Sequence, residues 1–135
     1  MMQNFKLKIY SPTRIFLEED AEMVELTTTE GEIGVYAGHI FLTAIVAPGI
    51  LKIHQNGKVR EAALLDGFIE IGPEEVTILS EACEWPEEID VNRAKEARIR
   101  AERRLTGGEG GNVNMQRAEA ALKRSLIRLN LAQKR

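Results

Sequence analysis

Residues 81–90 read Glu81-Ala82-Cys83-Glu84-Trp85-Pro86-Glu87-Glu88-Ile89-Asp90, and the chain changes character within this stretch. Up to Trp85 it is acidic and punctuated by glycine, with 6 Lys and Arg against 14 Asp and Glu. From Pro86 onward it is rich in Ala and Arg, with 12 basic residues against 7 acidic ones. A net charge of −8 followed by one of +5 predicts two unlike domains, at residues 1–86 and 87–135, with different partners or tasks.

The acidic segment contains short runs in which apolar and polar residues alternate, which is the pattern of half-buried strands. Turn signals separate these runs, and Gln55-Asn56-Gly57-Lys58 is the clearest, because Asn-Gly suits the positive φ angles of a tight hairpin turn. The spacing of strands and turns predicts a small β-sandwich or barrel. The alternating residues are Phe5, Leu7 and Ile9; Met23, Val24 and Leu26; Ile50 and Ile53; Ala62 and Leu64; Phe68, Ile69 and Ile71; and Val76, Ile78 and Leu79.

The basic segment has helical periodicity instead, so the fold class is α+β. Asp90 can cap a helix that begins at Val91, and apolar residues then recur every three or four positions. The glycines at 107–111 end this helix, and a second helix is predicted from about Val113 or Asn114 to Ala132. Two helices with such a short connection should pair antiparallel as a weakly held hairpin. The predicted seam contains Ala94, Ala97, Ala101, Leu105, Ala118, Leu122, Ser125, Leu129 and Ala132.

Composition argues against several functional classes. The chain has one cysteine, Cys83, which we expect to be a small buried apolar residue. The only two histidines, His39 and His54, lack cysteine or carboxylate neighbours at the spacing of a zinc site, and we expect both at the surface or in turns. The glycines at 107–111 are not followed by the Gly-Lys-Ser/Thr of a phosphate loop. We therefore expect neither a metal nor an independent catalytic site.

Two stretches are candidates for function, and each has a structural alternative. Thr29 to His39, with three glycines around a short apolar core, is either an exposed loop tip that contacts a partner or a tight strand connection. The helical segment carries arginines that recur on common helix faces. Guanidinium groups converging from two helices suit phosphate, although a solvated basic face gives the same spacing.

Taken in order, these motifs closely resemble the epsilon subunit of the F-type ATP synthase, over essentially the whole chain. The resemblance is carried by Gly31-Glu32-Ile33-Gly34-Val35-Tyr36 with Gly38-His39, by Pro48-Gly49, by Ile89-Asp90-x-x-Arg93-Ala94 and by Ala121-Leu122-Lys123-Arg124-x-x-x-Arg128-Leu129. It implies a sandwich of about ten strands followed by an antiparallel two-helix hairpin. Ala37 and Phe41 stand where relatives commonly carry proline, which predicts a more flexible loop tip.

The resemblance implies a non-catalytic rotor subunit on the cytoplasmic face of the bacterial plasma membrane, attached to the membrane through its complex. Its partners would be the gamma subunit, the c ring and the alpha/beta catalytic head. The matching motif places Glu32, Tyr36, Gly38 and His39 in the contact with gamma and the c ring. The hairpin would fold down on the sandwich or extend and oppose ATP hydrolysis, with Arg103, Arg104, Lys123 and Arg124 meeting an acidic segment of a beta subunit.

The resemblance also suggests regulatory ATP, although no cofactor is required. Ile89 and Ala94 would flank the adenine and Asp90 would accept its amino group, while Arg93, Arg100, Arg124 and Arg128 would face ribose or phosphates. Bound ATP would favour the folded-down hairpin. Two other classes remain open, namely a stand-alone ATP-sensing module and a nucleic-acid adaptor, the latter disfavoured by the acidic pI near 5.5.

Overall fold

The computed structural model describes residues 3–107 and 114–134 and divides into two compact units, Met1–Trp85 and Pro86–Arg135. The described part of the first unit consists of strands and the turns between them. The strands are β1 (Phe5–Ser11), β2 (Arg14–Ala21), β3 (Met23–Thr28), β4 (Gly31–Tyr36), β5 (Leu42–Val46), β6 (Gly49–Gln55), β7 (Lys58–Leu64), β8 (Gly67–Ile71), β9 (Glu75–Ser80) and β10 (Cys83–Glu84).

These strands form two layers that are connected through the pairing of β3 with β5. One layer has the order β5-β8-β9-β1-β2, and the other places β10, β7, β6, β3 and β4 side by side. Strand β3 joins them because it pairs with β4 along its whole length, with β6 over Met23, Val24 and Glu25, and with β5 at Thr28. Buried residues of both layers belong to one hydrophobic core. The prediction of a β-sandwich with about ten short strands is therefore confirmed.

The predicted alternation explains how each layer contributes to this core. Ile9 of β1 lies opposite Ile78 of β9, which in turn lies opposite Ile69 of β8. All three side chains are fully buried. Because successive side chains of a strand point to opposite faces, the residues next to these three point away from the core. Cys83 is also in the core, as predicted.

The predicted hairpin turn has the expected backbone. Strands β6 and β7 are antiparallel neighbours, with Gln55 opposite Lys58. Between them Asn56 and Gly57 both have positive φ, at 50° and 75°. This is the left-handed conformation that a two-residue turn of the primed type requires, and Asn-Gly adopts it at little cost.

The second unit contains a short 3-10 turn (Pro86–Glu88) and two helices, α1 (Val91–Leu105) and α2 (Met115–Ala132), which pack on each other as the predicted hairpin. Helix α1 begins where predicted, because the Asp90 side chain accepts a hydrogen bond from the backbone N–H of Arg93. Asn114 caps α2 in the same way through the N–H of Arg117. The predicted link beyond Gly107, and Val113 with it, lie outside the described residues.

Small side chains dominate the buried positions of the two helices, and six of the seven buried residues were predicted for the seam, Leu131 being the exception. Ala97, Leu105 and Leu122 of the predicted seam are half-buried. The seven residues below a tenth exposed are Ala94 and Ala101 on α1 and Ala118, Ser125, Leu129, Leu131 and Ala132 on α2. The polar member, Ser125, donates a hydrogen bond from Oγ to the Leu122 carbonyl at 2.8 Å. Its burial therefore leaves no unsatisfied donor.

Candidate functional site

An apolar row crosses the outer face of the β5-β8-β9-β1-β2 layer. Its members are cross-strand partners, one from each strand, and the register aligns them from edge to edge. Four of them are exposed apolar side chains, and the fifth is a half-buried tyrosine. From one edge to the other, the outer row consists of Ile45 (62% exposed), Phe68 (40%), Leu79 (39%), Tyr10 and Ile15 (63%).

A groove of about 390 Å³ runs along the middle of the outer row. Phe68 and Leu79 line it together with Tyr10 and Pro12. Aligned side chains of this size form a continuous apolar surface, whereas scattered exposed apolar residues are normal and need no explanation. A surface of this kind suits a protein partner with a complementary apolar face.

Charged pairs flank the outer row on the same face. The Lys8 ammonium lies 2.7 Å from the Glu75 carboxylate, and this hydrogen bond raises the pKa of Lys8. The Tyr10 hydroxyl donates to the Glu18 carboxylate, which raises the pKa of the phenol because the bond stabilises its neutral form. An apolar strip beside polar groups has the layout of a protein interface, with an apolar centre and a polar rim.

The four residues predicted to contact gamma and the c ring lie on or after strand β4, which pairs only with β3 among the described strands. Glu32 and Tyr36 are exposed on this strand. Gly38 has φ 82° and donates its N–H to the Pro73 carbonyl at 2.8 Å, and His39 Nδ1 lies 2.6 Å from the Ile40 carbonyl oxygen.

The sequence indicated Phe41 only as a departure from proline, and neither its exposure nor that of Ile40 was predicted. Ile40 and Phe41 are 78% and 82% exposed, and the Phe41 ring edge lies beside Gly72. The sequence reasoning also missed the outer row. A signal was available, because Phe68-Ile69 and Ile78-Leu79 are adjacent apolar pairs within strands, so one member of each pair must point outward.

In the helical unit, the residues of the predicted ATP site between Ile89 and Ala94 are partly buried and partly exposed. Ile89 and Ala94 are each 4% exposed, whereas Asp90 and Arg93 are exposed. One carboxylate oxygen of Asp90 accepts the backbone N–H of Arg93, and a carboxylate has a second oxygen for another donor. A nucleotide base that touches Ile89 and Ala94 would have to displace the protein atoms that now cover them.

The predicted basic residues are distributed over both helices. Arg100 is exposed two turns after Arg93, while Arg124 and Arg128 are half-buried and one turn apart on α2. Arg103 and Arg104 are exposed in the last turn of α1, where cations interact favourably with the helix dipole. Lys123 is exposed on α2.

The histidines have unlike surroundings. His54 is half-buried in β6, where its Nε2 lies 3.1 Å from a Glu25 carboxylate oxygen, so it belongs to a strand and not to a turn.

Within residues 3–107 and 114–134 no group of three or more His, Cys, Asp or Glu side chains is arranged to hold a metal ion. Neither helix of the described chain is long and apolar enough to span a membrane.

Comparison with known proteins identifies relatives of both units. Residues 4–86 match the family model of the ATP synthase Delta/Epsilon chain β-sandwich domain, and residues 87–133 match that of its long α-helix domain. The ATP synthase epsilon chain of Caldanaerobacter subterraneus subsp. tengcongensis is 45% identical over 99% of this chain and 97% of its own length. That of Clostridium novyi is 43% identical over 97% and 99%, respectively.

Solved ATP synthase structures contain chains of the same fold. A chain in the cryo-EM structure of the Euglena gracilis mitochondrial ATP synthase, an OSCP/F1/c-ring assembly, superposes with a TM-score of 0.80 at 26% identity, covering 96% of this chain and 81% of that one. A chain from the central stalk and c ring of the Tetrahymena thermophila mitochondrial ATP synthase shares the fold, with a TM-score of 0.62 at 14% identity and coverage of 98% and 96%.

Proposed function

Because the chain belongs to the ATP synthase delta/epsilon chain family and its curated relatives are bacterial epsilon chains, we propose that it is a non-catalytic central-stalk subunit. In this role its sandwich attaches to the gamma subunit and the c ring, and its helical hairpin regulates ATP hydrolysis by the catalytic head. The chain would reach the cytoplasmic face of the bacterial plasma membrane through these partners.

The outer row is the observation that carries this proposal. Ile45 and Ile15, at the two ends of the row, are both more than three-fifths exposed, so most of their apolar surface meets water in the isolated chain. Burying apolar surface against a partner contributes about 25 cal/mol per Å² before the costs of association. We assign this row to gamma, because a long rigid sheet face suits a stable interface better than a transient one.

The loop after β4 is assigned to the c ring, together with Glu32, Tyr36, Gly38 and His39. The exposed pair Ile40 and Phe41 extends this surface beyond the matching motif. Because the Gly38 N–H is held by the Pro73 carbonyl, the loop is anchored at one point while its tip stays accessible. The departure from proline at Phe41 thus places an aromatic side chain at the contact.

The hairpin is assigned the regulatory role because it combines a modest seam with an exposed basic surface. Small side chains such as Ala94, Ala101 and Ala118 bury little apolar area. The free energies of alternative hairpin conformations therefore need to differ by only a few kcal/mol. When the hairpin extends, Arg103, Arg104, Lys123 and Arg124 would meet acidic residues of a beta subunit. Each partly desolvated pair would contribute about 1 kcal/mol, enough for a few of them to bias such an equilibrium.

Regulatory ATP is the finer part of the proposal. Asp90 has a second carboxylate oxygen for the adenine amino group, and Arg93, Arg100, Arg124 and Arg128 supply cations for ribose and phosphates. Ile89 and Ala94 would flank the base once their cover is displaced. ATP would then shift the hairpin toward the form with the higher ATP affinity, by no more than its differential affinity for the two forms.

Docking is tested by introducing a charge into the outer row. Phe68→Glu and Ile45→Glu place carboxylates where the proposal buries apolar surface, so binding to an ATP synthase preparation stripped of this subunit should weaken at least tenfold, at a cost of about 1.4 kcal/mol or more. Val59→Glu is the matched control, because Val59 is an apolar residue 50% exposed on β7, in the other layer. Equal affinity of all three variants and the parent chain would exclude this face as the interface.

ATP binding is tested by calorimetric titration of the full chain. Asp90→Ala removes both the helix cap and the proposed adenine contact, whereas Asp90→Ser preserves the cap. Loss of binding in both variants and in Arg93→Ala would support direct recognition. Loss of ATP binding in Asp90→Ala alone would mean that binding depends only on the capped start of the helix. If the parent chain released no heat up to millimolar ATP, the ATP proposal would be wrong, and the docking proposal would be unaffected.

The alternative is a stand-alone ATP-sensing module. It also predicts ATP binding but assigns no role to the outer row, so Phe68→Glu would leave its behaviour in cell extracts unchanged. Co-purification of the parent chain with gamma, lost in Phe68→Glu but kept in Val59→Glu, would decide for the stalk subunit.

A further inference from the structure

Four side chains form a layered stack at the open side of the sandwich, between β2 and the edge formed by β7 and β10. The Arg14 guanidinium carbon lies 5.0 Å from the centre of the Phe16 ring. Phe16 stacks on Trp85 with 4.4 Å between ring centres and 28° between planes. The Arg60 guanidinium carbon lies 4.3 Å from the Trp85 ring centre. We refer to Arg14, Phe16, Trp85 and Arg60 as the Trp85 stack.

Hydrogen bonds hold both cations of the Trp85 stack in place. Arg14 Nη2 donates to the Cys83 carbonyl at 3.1 Å. Arg60 Nη1 donates to Glu19 Oε1 at 3.3 Å and to Gln55 Oε1 at 3.2 Å. Each guanidinium therefore binds an aromatic face and a polar group at once, which suits its planar shape. Together these contacts join β2, β6, β7 and the chain segment around β10.

The strand ladder at this segment is short. Strand β10 is two residues long, and its register pairs are Cys83 with Leu64 and Glu84 with Ala63 on β7. A strand this short at a sheet edge has a weak ladder. Trp85 is the last residue of the sandwich unit, and Pro86 is the first residue of the next one.

We propose that the Trp85 stack is a clasp that holds β10 and Trp85 on the sandwich. The clasp supplements the two-residue ladder and keeps β10 paired with β7. This inference rests on contacts within the sandwich unit alone, so it stands or falls independently of docking and of ATP binding.

Amide hydrogen exchange of the full chain tests the clasp at two backbone N–H groups of the β10–β7 ladder: that of Leu65, which donates to the Ala82 carbonyl at 3.0 Å, and that of Glu84, which lies opposite Ala63. Arg60→Leu removes one cation–π contact, and exchange at these amides should accelerate about fivefold, as expected for the loss of about 1 kcal/mol. Lys58→Leu is the control, because it removes a positive charge from an exposed position of the same strand. Unchanged exchange in Arg60→Leu would overturn the proposal.

Two further variants separate the clasp from other effects of Arg60. Trp85→Leu should accelerate exchange at Leu65 and Glu84, and the double variant with Arg60→Leu should add little, because both remove the same contact. Full additivity would contradict a shared clasp. Glu19→Ala removes one of the two hydrogen-bond acceptors that hold Arg60 in place, so it should accelerate exchange less than Arg60→Leu does. If it accelerated exchange as much as Arg60→Leu, the ion pair would be what holds the segment and the clasp assignment would be wrong.

Amides in the other layer distinguish a local clasp from general stability. Ile69 and Ile78 lie on β8 and β9, and their exchange should stay at the parent rate in Arg60→Leu. Equal acceleration there would mean that the stack only contributes to global folding. Trp85 is the single tryptophan of the chain, so acrylamide quenching of its fluorescence gives a second readout. Quenching should rise in Arg60→Leu, rise less in Arg60→Lys and stay unchanged in Lys58→Leu.

Discussion

At the level of single residues, Tyr10 has two tasks that its side chain can perform together. Its ring occupies the middle of the outer row, opposite Leu79, while its hydroxyl reaches Glu18 at the rim. A phenylalanine would complete the apolar surface equally well but would leave the Glu18 carboxylate without this donor. Tyrosine suits such a boundary because one end of it is apolar and the other forms hydrogen bonds.

The Tyr10 phenol should lose its proton at a higher pH than free tyrosine does. In a Tyr36→Phe background Tyr10 is the only tyrosine, so phenolate absorbance reports on it alone. Its pKa is raised chiefly by the hydrogen bond to Glu18, so the midpoint should lie above that of free tyrosine, near pH 10. Glu18→Ala should lower the midpoint toward the ordinary value, because it removes the largest cause of the shift. A midpoint that Glu18→Ala leaves unchanged would contradict the assigned cause.

The direction of these pKa shifts determines how the stability of the fold depends on pH. A group whose pKa is higher in the folded chain stabilises the fold below the unfolded value, and this contribution disappears as the pH rises through the folded pKa. The contributions of Tyr10 and Lys8 should therefore be lost only in alkaline solution, above about pH 10. Thermal unfolding at pH 7 and at pH 11 should show a smaller alkaline decrease in Glu18→Ala than in the parent chain.

Asp90 shows how one side chain at a helix start affects a whole element. Replacing it with Ala leaves the Arg93 N–H without its acceptor and should destabilise α1 by about 1 kcal/mol, whereas Asp90→Ser should cost a few tenths. Helical circular dichroism at increasing temperature measures the difference. Identical melting of the two variants would show that capping by Asp90 does not limit the stability of the helix.

At the level of helices and strands, the sequence predicts what local chemistry decides. The Asn56-Gly57 turn, the start of α1 at Val91 and the apolar alternation in β1 and β9 follow from backbone preference and from the period of the side chains. The pairing of β1 with β9 and the division of β3 between layers do not follow, because they depend on contacts between residues distant along the chain. The outer row could not be predicted from the sequence for the same reason, since only the strand register aligns Ile15, Tyr10 and Leu79.

The close approach of β8 and β9 is one such contact. A methyl group added at Gly67 would lie 1.9 Å from the backbone oxygen of Leu79, so the two strands would have to separate. Gly67→Ala should therefore destabilise the sandwich by about 3 kcal/mol, at the upper end of overpacking costs. Gly34→Ala is the control, because its added methyl meets only the flexible end of Met23. Urea unfolding measures both, and equal midpoints would contradict so close a contact between the strands.

The helical seam should tolerate small residues and reject large ones. Ser125 is buried, and its hydroxyl donates a hydrogen bond within its own helix, to Leu122. Ser125→Ala should change stability by a few tenths of a kcal/mol, whereas Ser125→Leu should cost about 1–3 kcal/mol because the helices cannot stay as close. Thermal melting at 222 nm compares the two. A Leu variant as stable as the parent chain would mean that α1 and α2 do not pack tightly at this position.

In the molecule as a whole, charge and shape assign different tasks to the two units. The acidic sandwich provides a rigid face with an apolar row, whereas the basic hairpin provides cations on short, small-residue helices. The change in composition near Trp85 predicted two unlike units. A motif assigned residues such as Glu32 and Tyr36 to a contact with partner subunits, and that assignment stays a prediction. The sequence could not predict the outer row or the Trp85 stack, because their side chains come from five and from three separate segments of the chain, respectively.

If the outer row is the face by which this subunit joins the stalk, thiol labelling should detect its burial without introducing charge. In a Cys83→Ala background, single cysteines replace Leu79 in the outer row or Val59 in the opposite layer, and each is labelled before and after mixing with an ATP synthase preparation that lacks this subunit. We predict that assembly protects Leu79→Cys at least tenfold and leaves Val59→Cys unchanged, as expected when one face is buried and the other stays in water. Equal labelling of Leu79→Cys in the free and assembled states, with binding shown in the same sample, would contradict this assignment.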